Sequence, residues 1–114
     1  MKYRVKYKCY WYNTGAADNH SYIAKKNFDT LEEAKDYKDR VDKQYEIINS
    51  KILYSWEKLE DLTEYERKYK NPISKEEYDK WMESDKFIEV ENGFIESEAE
   101  IVKYFPEREE KLNY

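Results

Sequence analysis

Residues 2–12, KYRVKYKCYWY, alternate strictly. Tyr3, Val5, Tyr7, Cys9 and Trp11 fall on one side. Lys2, Arg4, Lys6, Lys8, Tyr10 and Tyr12 fall on the other. A repeat of two marks a half-buried strand, with the first set turned to a core and the second to water. NTGAADNH follows as a loop, with Gly15 and the Asn and Asp residues as turn formers. Residues 21–28, SYIAKKNF, supply the return strand, so the chain opens with an antiparallel hairpin.

From this hairpin the reading moves to helices. Thr30 with Glu33 three positions on is a capping box and predicts a helix start. Apolar or aromatic residues then recur every three or four positions from 31 to 69, and no Gly or Pro intervenes before Pro72. One helix of that length would be about 60 Å long at ~1.5 Å per residue and would need a partner helix, such as one from a second subunit. A break near Asn49–Ser50 and two helices is the preferred reading, with a short strand at KILYSW as a third option. Ser74 with Glu77 predicts a short helix over ISKEEYDKWMES. Asn92-Gly93 is a strong hairpin signal, pairing KFIEV with GFIES and setting Glu89 opposite Glu96. Ser97 with Glu100 predicts a last short helix over EAEIVKYF, stopped by Pro106.

The expected fold class is therefore α+β. It comprises the N-terminal hairpin, a central helical pair or long helix, a short helix, a C-terminal Asn-Gly hairpin and a final helix. Residues 1–106 form one domain and 107–114 a charged, mobile tail. The 114 residues can bury a core without disulfide or metal support. Leu, Ile, Val and Phe are scarce, while 13 Tyr and 3 Trp are present, so the core is expected to be largely aromatic.

Charge is unevenly distributed. The whole chain has a formal net charge of -5, yet residues 1–28 are net basic and the remainder strongly acidic. Such asymmetry bears on partners rather than on fold. On the predicted second hairpin, Glu89, Glu91, Glu96 and Glu98 share a face. Their spacing of about 6.6 Å between alternate strand residues is similar to that of successive phosphates. They are candidate contacts for a basic channel, by imitation of a nucleic-acid backbone. The ordinary alternative is a solvated face that resists aggregation. On the first hairpin, Lys2, Arg4, Lys6 and Lys8 with Tyr10 and Tyr12 could instead grip phosphates and stack on bases. Lysines on an exposed strand also discourage edge pairing.

Catalytic signatures are lacking. His20 is the single histidine and falls in the expected loop. Cys9 is the single cysteine, lies in the apolar stripe and reads as packing. Two glycines cannot build a phosphate-cradling loop. No catalytic residue, metal site or cofactor is expected, nor is an enzyme. No signal peptide or membrane span is read, so a cytoplasmic location is expected, with no membrane partner and a monomeric or homodimeric state.

The abundance of Lys, Asn, Ile and Tyr over Gly, Ala, Pro and Arg suits an AT-rich genome. The hairpin KYRVKYKCYWY…HSYIAKKNF running into FDTLEEAKDY is similar to small phage-encoded accessory proteins of low-GC Gram-positive bacteria, the anti-CRISPR and other anti-defence inhibitors among them. That resemblance covers about a third of the chain. It implies a non-enzymatic protein that binds and redirects a host protein. The leading expectation for this chain is inhibition of a host nucleic-acid-handling protein such as a CRISPR-type defence nuclease. Those proteins share no motif, so no residue role is carried over. The alternatives are a nucleic-acid-binding module and a dimeric structural or assembly protein.

Overall fold

A computed structural model describes residues 2–11, 20–105 and 108–112. Tyr12, most of the first loop with Gly15, and Pro106 lie outside the described residues. The order is β1 (Lys2–Trp11), β2 (His20–Phe28), α1 (Leu31–Ile48), β3 (Ile52–Leu53), a 3-10 turn (Leu59–Asp61), α2 (Glu64–Tyr69), β4 (Ile73–Ser74), α3 (Lys75–Glu83), β5 (Gly93–Ile95), β6 (Glu100–Phe105) and β7 (Arg108–Leu112). The fold is α+β.

The opening hairpin forms as its alternation requires. β1 and β2 pair antiparallel without a bulge from Tyr3 opposite Phe28 to Trp11 opposite His20. Val5, Tyr7 and Cys9 are buried. His20 begins β2 rather than belonging to the loop, because Trp11 pairs with it across the ladder. β1 is central: the main sheet runs β2-β1-β6-β7, and β5 also pairs with β1. β5 and β6 meet different ends of β1, at residues 9–11 and 2–6. Residues 96–99 form an excursion between them. It is held by Glu96 N–H to the Lys8 carbonyl at 2.7 Å and Lys8 N–H to Ser97 Oγ at 2.9 Å.

The Thr30 hydroxyl caps α1 by accepting from Glu33 N–H. The helix ends at Ile48, at the preferred break. Asn49 and Ser50 turn their side chains back onto the carbonyls of Tyr45 and Glu46. The single long helix is thereby excluded, and α1 lays Ala34, Tyr37 and Val41 on its own sheet. The third option is realised as well: KILYSW contributes β3, which pairs in parallel with β4. Ser74 caps α3 as expected.

The C-terminal third departs from expectation. The Asn-Gly turn is present, with Asn92 at φ 52°, but residues 87–90 form no strand. Instead Gln44 of α1 takes the backbone of Ile88, accepting from its N–H at 2.7 Å and donating to its carbonyl at 2.8 Å. Gly93–Ile95 pairs with β1, so no hairpin forms and Glu89 is not opposite Glu96. The predicted last helix is strand β6, placed between β1 and β7. The predicted tail includes β7, paired with β6 from Ile101–Leu112 to Phe105–Arg108. Ile101 and Val102 are β-branched and buried, which suits a central strand. The core is also less aromatic than expected. Its cluster is mostly aliphatic, with Tyr7 and Tyr37 as the buried rings. They share a hydroxyl–hydroxyl hydrogen bond of 3.0 Å, the partner a buried phenol needs.

Candidate interaction surfaces

The face of β1 turned away from α1 carries the predicted basic set, but its charge is answered within the fold. Glu109 of β7 accepts from Arg4 at 2.6 Å and from Lys6 at 2.8 Å. Arg4 also donates to Asn27 at 2.8 Å and lies 3.8 Å above the Tyr104 ring. The hydrogen bonds from Lys6 and Arg4 hold the Glu109 carboxyl below its usual range. Lys2 lies 3.6 Å from Asp29. Lys8 is exposed, and the Tyr10 ring stacks on Phe94 at 5.4 Å. A strip read as a phosphate grip is therefore largely a salt-bridged sheet surface. The sequence offered no sign of this, because Glu109 belonged to the expected tail.

The four glutamates do not assemble into one strand-pair face. Glu89 and Glu91 are exposed on the segment before β5. Glu96 accepts from the Ser21 hydroxyl at 2.6 Å. Glu98 sits on the excursion after β5. It lines a groove of about 350 Å³ together with Lys6, Lys8, Ile23 and Glu100. Acidic and basic candidates thus adjoin one another there instead of forming separate poles.

A third surface gathers Trp56, Leu59, Tyr65 and Tyr69, which the three-to-four spacing sets on one helix face, and Tyr54 of KILYSW. Tyr54, Trp56, Leu59, Tyr65 and Tyr69 are all exposed, Trp56 by 75%. They occupy the lobe between β3 and β4. The Tyr54 and Trp56 rings stack at 4.9 Å with 6° between planes, and Tyr65 meets Tyr69 at 5.0 Å. The lobe is held mainly by polar contacts. Glu57 accepts from Tyr54 N–H at 2.9 Å and lies 3.5 Å from Lys51. The Tyr54 N–H, with a smaller contribution from Lys51, lowers the Glu57 carboxyl below its ordinary value. Arg67 donates to the Glu60 carbonyl at 2.7 Å, and Thr63 with Glu66 forms a capping box. Leu62 is buried, so one side chain anchors the lobe while the rings stay outside. A cleft of about 430 Å³ lies beside the stacked pair, lined by Leu53, Tyr54, Ser55, Trp56, Ser74, Lys75 and Glu76.

The single thiol is sequestered. Burial pushes the Cys9 thiol up, which keeps it protonated and a poor nucleophile at neutral pH. Among the described residues no group of His, Cys, Asp and Glu could hold a metal ion, and no helix is long and apolar enough to cross a membrane. No family model, no curated protein and no solved structure matches this chain.

Proposed function

We propose that this protein works by binding another protein, and that the lobe between β3 and β4 makes the contact. The carrying observation is the stacked Tyr54–Trp56 pair on the outside of a polar-bonded lobe. Exposed Trp and Tyr are the side chains most enriched among binding hot spots, because they bury large area with few rotors to freeze. The partner is a nucleic-acid-handling host protein of the defence-nuclease kind, inhibited by occupation. The acidic surplus beyond residue 28 favours a basic partner surface through complementary fields. Of the four candidate glutamates, Glu89, Glu91 and Glu98 are exposed, and the first two would supplement the aromatic contact. Mimicry by a four-glutamate hairpin face has lost its geometric basis.

The test is a nuclease-treated pull-down from a low-GC bacterial lysate, followed by titration of the purified partner. Trp56→Ala with Tyr65→Ala should weaken binding at least about 100-fold, the loss expected from two hot-spot aromatics. Glu89→Lys with Glu91→Lys should produce a smaller, salt-dependent loss. Unchanged affinity of the aromatic variant would overturn the assignment of the lobe.

A second reading rests on the Tyr10–Phe94 stack beside exposed Lys8, which would offer a ring and a cation to single-stranded nucleic acid. It requires fluorescence anisotropy to register binding of a labelled oligonucleotide at low salt and its loss in Tyr10→Ala. No binding at low salt would remove this reading.

A further inference from the structure

β2 is an edge strand whose one blunting device is the exposed pair Lys25 and Lys26. It runs nine residues in unbroken register against β1, and among the described residues no strand pairs with its other side. It contains no Pro and no bulge, and it exposes Tyr22 and, by 52%, Ile23. The opposite edge differs: β7 has five residues, REEKL, with charges of both signs. A long regular edge is a template for a further strand.

We propose that β2 pairs antiparallel with β2 of a second copy, giving a twofold dimer with one continuous sheet. The argument lies in the register. A twofold axis through an antiparallel ladder keeps both α1 helices on one side of the sheet, and directly opposed residues then point to the same face. That admits only registers centred on a residue. Centring on Lys25 or Lys26 sets Lys against its own copy, and like charges directly opposite are unfavourable. Centring on Ala24 uses all nine residues and places a small side chain at the axis. Ile23 then faces Lys25 of the second copy, Tyr22 faces Lys26, and Ser21 faces Asn27. The Lys stems would cover the exposed Ile23 and Tyr22, with their ammonium groups left in water. Lys26 already lies 4.8 Å from the Tyr37 ring centre in one copy, so this cation is accommodated among aromatics.

The test is sedimentation equilibrium of the full chain from micromolar to millimolar concentration, with circular dichroism confirming the fold of each variant. The native chain should pass from 14.1 kDa to twice that mass. Ile23→Lys places like charges opposite each other twice across the axis and should raise the dimer dissociation constant roughly tenfold, while Ile23→Glu faces Lys25 and should lower it. Ala24→Cys should form an oxidised dimer, since opposed strand positions bring Cβ atoms within disulfide reach. A chain that stays monomeric throughout overturns the proposal, even if β2 accepts a strand from another protein. A dimer that ignores both Ile23 substitutions, or that cross-links at Ile23→Cys and not at Ala24→Cys, overturns it too.

Discussion

Gln44 joins three parts of the molecule. It is 1% exposed, it satisfies both backbone groups of Ile88, and it accepts from the Trp81 indole N–H at 3.1 Å. An apolar periodicity cannot find such a residue, since it is polar yet faces inward. Gln44→Ala should cost about 2–4 kcal/mol in urea unfolding, because three buried groups lose partners and a cavity opens. Gly93 is required by close approach: a Cβ there would sit 1.8 Å from the Tyr10 carbonyl oxygen. Gly93→Ala should therefore break the β5–β1 pairing at a cost of about 3 kcal/mol or more, visible as lost amide protection at Tyr10 and its partner Phe94. At Tyr7, burial and then the Tyr37 hydrogen bond push the phenol well above its ordinary value. The folded state thus holds this proton more tightly than the unfolded state, whose phenol ionises near about pH 10. Its stabilising effect is complete below that pH and lost as pH rises above it. Stability should fall above about pH 10, and Tyr7→Phe should flatten that fall.

At the scale of elements, β7 decides the character of the β1 face. Glu109 carries the bridge to Arg4 and Lys6. Glu109→Lys should convert the strip into an uncompensated basic surface and delay elution from a cation exchanger at neutral pH. Equal retention of Glu109→Lys and Glu110→Lys, which change the net charge alike, would show that the bridge does not form in solution. The acid side follows from the same contact. A lowered Glu109 carboxyl stabilises the fold above the unfolded carboxylate value of about 4.3 and ceases to do so as pH falls through its own lower value. The segment of β6 carries a helix signal, because Ser97 and Glu100 stand at capping-box spacing. Ser97 Oγ instead accepts from Lys8 N–H, and Glu100 enters the sheet opposite Lys6. A capping pattern records which local bonds can form, and a longer-range ladder took those residues.

At the scale of the molecule, the aromatic lobe stands apart from the sheet and α1. The chain measures 53 × 37 × 27 Å with a radius of gyration of 16.6 Å, against about 13–14 Å for a compact chain of this length. Few buried contacts and solvent-facing hydrogen bonds imply a low local opening free energy. Hydrogen exchange should accordingly be fastest, within the described elements, across α2 and the 3-10 turn, and slowest in β1 and the middle of α1. Uniform protection would contradict the lobe's separate status. Trp56 should also be the indole most readily quenched by acrylamide, and Trp56→Phe should remove that fraction.

From the residues alone came the first hairpin, the α1 and α3 starts, the break after Ile48 and the α+β class. Each rests on side chains a few positions apart, whose bonds form wherever the segment lies. Not legible were the strand identity of β6, the recruitment of β7, the capture of Ile88 by Gln44 and the outward turn of Trp56. In each of these the partner is distant in sequence, or the same three-to-four spacing serves either a buried face or an exposed one. The basic strip of β1 shows the division most plainly: its alternation is written in residues 2–11, while its neutralisation depends on a glutamate more than a hundred residues away.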